Sequence, residues 1–100
     1  MLDMHISHRY LLLMTRSETT IIRLRCWLRE HRVRANMSQL DLADRLGVVQ
    51  GTLSRIESGH VPLTVDAFLR IAEAIEVDPV DALAAATRSE MTVASCDIAV

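Results

Sequence analysis

One hundred residues at 50% hydrophobic, 24% charged and mean hydropathy +0.20 fit a single compact domain, since a chain this long buries roughly two-thirds of the surface it exposes unfolded. Three Gly, two Pro and the apolar half exclude a collagen-like or wholly disordered chain, and no apolar run nears the ~20 residues that span a bilayer, so a cytosolic protein with no membrane contact is expected. The formal net charge of -2 hides a polarity: residues 1–55 hold nine Arg against five acids, residues 56–100 two Arg against eight.

Residues 1–17 mix apolar and polar types without a sustained period and read as a leader, either disordered or a strand, with Met4 and Met14 as alternative starts. The apolar stretch from Tyr10 to Met14 is too short for a signal-peptide core. From Ser17, a candidate N-cap, Ile21, Leu24, Leu28, His31 and Ala35 recur at steps of three and four, which predicts helix 1 over about 18–35. Asn36 can take the left-handed conformation that ends it. Six Arg (16, 23, 25, 29, 32, 34) crowd this region against Glu18 and Glu30; they suit phosphate contacts if they share a surface, and a solvated helix face is the plain alternative.

Ser38 caps helix 2, whose inner face is read as Leu40, Ala43 and Leu46, and Gly47 stops it with the positive φ that a sharp turn needs. Helix 3 follows over about 50–58, with Leu53 and Ile56 inward and Gln50, Gly51, Thr52, Ser54 and Arg55 outward; Gly59 ends it and Pro62 lies in the next loop. Thr64 caps helix 4, with Val65, Phe68, Leu69, Ile71, Ala72 and Ile75 as a broad apolar face. Asp78 and Pro79 start helix 5, which runs to about Ala86. After Thr87 the helical period is lost, and Met91 to Ala94 read as a strand or a loose tail. The expected division is a leader over 1–17, a domain over 18–86 and a tail over 87–100.

Two short helices joined by a Gly turn form the helix-turn-helix pattern, whose second helix enters the DNA major groove. The run Met37-Ser38-Gln39-Leu40-Asp41-Leu42-Ala43-Asp44-Arg45-Leu46-Gly47-Val48, then Gln50 through Leu53-Ser54-Arg55-Ile56-Glu57-Ser58-Gly59, closely resembles the Cro/C1 type of phage-repressor-like regulators, the XRE family. The resemblance covers about 28–85. It implies an all-α, five-helix, lambda-repressor-like domain and a DNA-contacting set of Ser38, Gln39, Gln50, Gly51, Thr52, Ser54, Arg55, Arg32 and His60. Gln39 is expected on a phosphate, Gln50 on adenine and Arg55 on guanine. Arg32 and Glu57 match a family ion pair that ties helix 1 to the end of helix 3, with Arg32 also facing the DNA backbone.

Two departures stand out. Val49 replaces the Ser or Thr that usually caps helix 3, and Gly51 occupies a position that often reads a base. His31 is read as a half-buried core residue, Trp27 as packed on the edge of helix 1, and Met37, Leu40 and Leu53 as core. Cys26 and Cys96 lack metal-ligand spacing and are expected as reduced thiols. No catalytic set, phosphate loop or metal site emerges, so no enzyme activity and no cofactor are expected.

The resulting reading is a transcriptional regulator, a repressor acting as a homodimer on a palindromic operator in double-stranded DNA. Helix 5 (Val80, Leu83, Ala84 to Ala86), the tail and the leader around Ile6 to Met14 are candidate interfaces. The alternatives are an antitoxin or restriction-modification controller with a protein partner, and a protein-interaction module without a DNA role.

Overall fold

The computed structural model describes residues 2–88, with side chains from Ser17 onward. Five helices follow in chain order: α1 (Leu2–Arg34), α2 (Gln39–Leu46), α3 (Gln50–Ser58), α4 (Val65–Ala74) and α5 (Pro79–Thr87). The expected all-α, five-helix architecture is met, and no strand occurs among the described residues.

The first helix departs from expectation. It runs 33 residues without a break through the segment read as a separate leader, so Ser17 is a helix-interior residue and not a cap. The physical reason is the absence of any Gly or Pro between Leu2 and Arg34, in a stretch rich in Leu, Met and Arg. At 1.5 Å per residue such a helix is about 50 Å long, which accounts for the 52 Å longest dimension of the molecule. The proposed tail strand around Met91 lies outside the described residues.

Four of the helices end on one device. After α1, Asn36 turns left-handed (φ 58°) while Met37 N–H donates to Arg32 O and Asn36 N–H to Val33 O. Gly47 after α2 and Gly59 after α3 repeat this with φ of 73° and 86°, and the following Val48 and His60 reach back to Ala43 and Arg55 carbonyls. After α4 a non-glycine does the same work: Glu76 sits at φ 59° and Val77 N–H donates to Ala72 O. Each turn satisfies carbonyls that the helix end would otherwise leave open.

These turns fold the short helices onto α1. Leu42 of α2 and Leu53 of α3 are fully buried, joined by Leu24 and Leu28 of α1, Phe68, Ile71 and Ile75 around α4, and Ala82 and Ala86 of α5. The alanines leave no side-chain bulk between α5 and α1, which lets the two axes approach closely. The far end of this packing is tied by Arg23 Nη1, 3.4 Å from Arg88 O. Trp27 packs against the core, and the half-buried ring of His31 stacks on it at 3.6 Å between centroids, its Nδ1 2.8 Å from Trp27 O.

Several expected core positions are corrected. Leu40 is 54% exposed, because Gln39, Leu42, Ala43 and Leu46 share the inward face of α2 and Leu40 is turned about 100° away from it. Ala35 lies in the turn after α1 and is exposed. Phe68, Ile71, Ala72 and Ile75 are buried as expected, but Val65 and Leu69 face outward. The reduced thiol expected at Cys26 is also corrected, since Cys26 is disulfide-bonded. The one other cysteine of the sequence, Cys96, lies outside the described residues.

Candidate nucleic-acid interface

Ser38 and Asp41 build the start of α2. The Ser38 hydroxyl accepts from Asp41 N–H at 3.0 Å, and Ser38 N–H donates to the Asp41 carboxylate at 3.0 Å, a reciprocal cap with Asp in the place where Glu or Gln is commoner. The Ser38 backbone N–H, and after it the Ser38 hydroxyl, stabilise the ionised Asp41 carboxyl and hold it below its ordinary pKa, with Arg45 adding to the shift. The cap fixes Gln39 at the first position of the helix, where N–H groups and the helix dipole favour an anion.

Gln39 is held from a second side. Its Nε2 donates to Glu57 Oε1 at 2.9 Å, and the same carboxylate accepts from Arg32 Nε at 2.7 Å and Nη2 at 3.1 Å. Arg32 Nη1 donates to Met37 O at 2.7 Å. One guanidinium therefore joins α1, the turn before α2 and the last turn of α3, and one carboxylate passes that constraint on to Gln39. The expected Arg32–Glu57 pair is present, with both side chains only 9% exposed. Arg32 is thereby withdrawn from the surface: three of its donors are engaged inside the protein, which fits a positioning role better than the direct backbone contact also expected of it.

On α3, Leu53 is the fully buried anchor, and Gln50, Gly51, Thr52 and Arg55 are exposed around it. Ser54 is half-buried. No side chain caps α3 at Val49, as the missing hydroxyl predicts. Gly51 has no conformational reason to be glycine: its φ is not positive, and a Cβ there would meet nothing within 4 Å. Past the end of α3, His60 is exposed and its Nδ1 lies 2.6 Å from Ser58 Oγ.

Of the predicted contact residues, Ser38, Gln50, Gly51, Thr52, Arg55 and His60 are exposed, Gln39 and Ser54 are half-buried, and Arg32 is buried. Sequence reading missed the Gln39–Glu57 bond and the seating of Arg25. A Cβ added at Gly59 would lie 2.8 Å from Arg25 Nη2, so the guanidinium of Arg25 rests on that glycine, and its partial burial lowers its pKa. The spacing of Arg25, Arg29 and Arg32 at i, i+4 and i+7 was the available signal.

Among the described residues no group of His, Cys, Asp or Glu could hold a metal ion, and no helix is long and apolar enough to cross a membrane. A family model described as helix-turn-helix matches residues 28–81. No curated protein and no solved structure matches the chain.

Proposed function

The chain belongs to the helix-turn-helix family, Cro/C1 type, a family of DNA-binding regulators, and we propose that it is a sequence-specific transcriptional repressor that binds a palindromic operator as a homodimer. The observation that carries the reading is the split character of α3: Leu53 is fully buried, while Gln50, Gly51, Thr52 and Arg55 stand exposed with no fold-internal work. Gln50, Thr52 and Arg55 carry the donors and acceptors that base edges and phosphates call for, and no bond inside the described fold occupies them.

Each residue then has a role. Gln50 pairs with adenine through N6 and N7, and Arg55 forks onto guanine O6 and N7. Thr52 and Ser54 touch backbone or a thymine methyl. Ser38, Gln39 and His60 meet phosphates, which fixes register without selecting sequence. Gly51 lets the backbone of α3 lie closer to the groove than any side chain would permit. Arg32 and Glu57 hold Gln39 in place.

Dimerisation supplies the affinity that one small reading head lacks, with heads about 34 Å apart on successive turns of the duplex. Support for it is an apolar surface on the α4–α5 side, where Leu69, Val80 and Leu83 are exposed. Leu69 also lines an open cleft of about 450 Å³ with Arg70, Glu73, Val77 and Pro79. The test is Arg55→Ala on the duplex enriched from a random pool. Affinity should fall by about 1–3 kcal/mol, with base preference relaxed at one position per half-site; unchanged affinity and preference would remove Arg55 as a base reader.

A further inference from the structure

The arginine-rich stretch of α1 resolves into separate surfaces. Arg23 reaches the end of α5, and Arg34 is exposed in the last turn. Arg25, Arg29 and Arg32 fall within an arc of about 60° on the helix, as residues at i, i+4 and i+7 do. Both ends of this stripe are located by contact. Arg32 is bonded to Glu57 in the last turn of α3, and Arg25 lies on Gly59, the residue that caps it. The stripe therefore runs beside the end of α3 and the turn that presents His60.

Charge along this seam is unbalanced. Glu57 is the acid within it, and Arg32 already neutralises it through two bonds. Arg29, half-buried between the two fixed ends, makes no hydrogen bond or ion pair with any described residue, and the guanidinium of Arg25 makes none either. Two cations that repel each other across one helical turn are thus kept beside the C-terminal end of α3. One of them lies directly against Gly59, a glycine set by its left-handed φ of 86°, where an added Cβ would come within 2.8 Å of the guanidinium.

From this arrangement we infer that Arg25 and Arg29 of α1, with His60 from the turn after α3, form a second phosphate-contacting rail, which grips the DNA backbone beside the bases read by α3. A planar guanidinium suits this work, since it offers paired donors to phosphate oxygens and is always charged. The Nδ1 of the exposed His60 ring is engaged by Ser58 at 2.6 Å, which leaves Nε2 as the nitrogen open to a phosphate. The inference rests on the DNA-binding reading above.

The test measures binding of the full chain to its enriched duplex and to an unrelated duplex across salt concentrations, for wild type, Arg25→Gln, Arg29→Gln and Arg34→Gln. Arg34 is about 180° around α1 from Arg25 and serves as the off-stripe control. Arg25→Gln and Arg29→Gln should weaken both duplexes by the same factor and shrink the slope of log K against log salt by about 0.9 per bound protomer, about 1.8 for the dimer, the loss of one phosphate contact in each copy. Arg34→Gln should leave the slope unchanged. Arg29→Gln removes no bond within the described fold, so its effect is read without a folding penalty, and a thermal melt confirms this for each variant. Slopes equal to wild type for both Arg25→Gln and Arg29→Gln overturn the rail and leave the reading of α3 intact. A wild-type chain that binds neither duplex overturns the DNA-binding reading and the rail with it.

Discussion

Removing the Glu57 carboxylate should unfold the coupling between α1, α2 and α3 and at the same time disarm Gln39. In Glu57→Ala, Arg32 remains as a 7%-exposed cation whose Nε and Nη2 have lost their acceptor, and Gln39 Nε2 loses its partner as well. Stripping one partner from a buried pair costs about 3–5 kcal/mol, because the remaining charge is uncompensated. That is a large share of the roughly 5–15 kcal/mol typical of a whole domain. At about 4–8 °C per kcal/mol for a domain of this size, the melting temperature should drop by roughly 12–40 °C. Urea titration followed by the fluorescence of Trp27 measures the loss, with a lowered midpoint and an unchanged slope. The double variant Arg32→Met, Glu57→Leu removes both charges together and should recover most of the stability, since an apolar pair of similar volume replaces a buried ion pair at little cost. It should not recover DNA affinity, because Gln39 is still unanchored. A loss below about 1 kcal/mol in Glu57→Ala would refute the reasoning, as that is the range of a solvated surface pair.

Two further predictions separate stability from function and fix a pH dependence. Gly51→Ala should raise stability by about 0.5–1 kcal/mol, since the glycine has ordinary φ and open space around it and Ala is the better helix former; affinity for the enriched duplex should fall, and an affinity at or above wild type would contradict close backbone approach. Asp41 has its folded pKa held below 3.8 by its bonds to Ser38, so the cap stabilises the fold above the unfolded pKa and is lost as pH falls through the lowered folded value. The melting-temperature gap between wild type and Asp41→Ala should therefore be full at neutral pH and close progressively below pH 3.8, whereas a gap that stayed constant down to about pH 2 would show that the carboxylate is not what caps α2.

The α2–turn–α3 unit was legible because its boundaries are written in residues with one conformational job: a capping Ser38 and two glycines, Gly47 and Gly59, both left-handed in the fold. The Arg32–Glu57 pair was legible only through family resemblance, since 25 residues separate its partners. The long start of α1 was missed because apolar periodicity there is poor; what sustains the helix is the lack of a breaker, a weaker signal than a positive pattern. Leu40 was misplaced through helix phase, where one position turns a side chain by about 100°. Glu76 carries a left-handed turn with a residue that does not advertise it, and nothing in the residues around Cys26 announced its bonded state. The bond from Gln39 to Glu57 joins two residues that each looked surface-facing, and only the packing of α2 on α3 brings them to 2.9 Å.

The most direct measurement of the central claim is enrichment of bound duplexes from a random DNA pool by the full chain, followed by titration of the enriched sequence across salt concentrations. An inverted repeat whose half-sites lie one helical turn apart, bound with a steep salt slope, is the predicted result. A pool that stays random, with only weak binding at low salt, would contradict a sequence-reading role for α3.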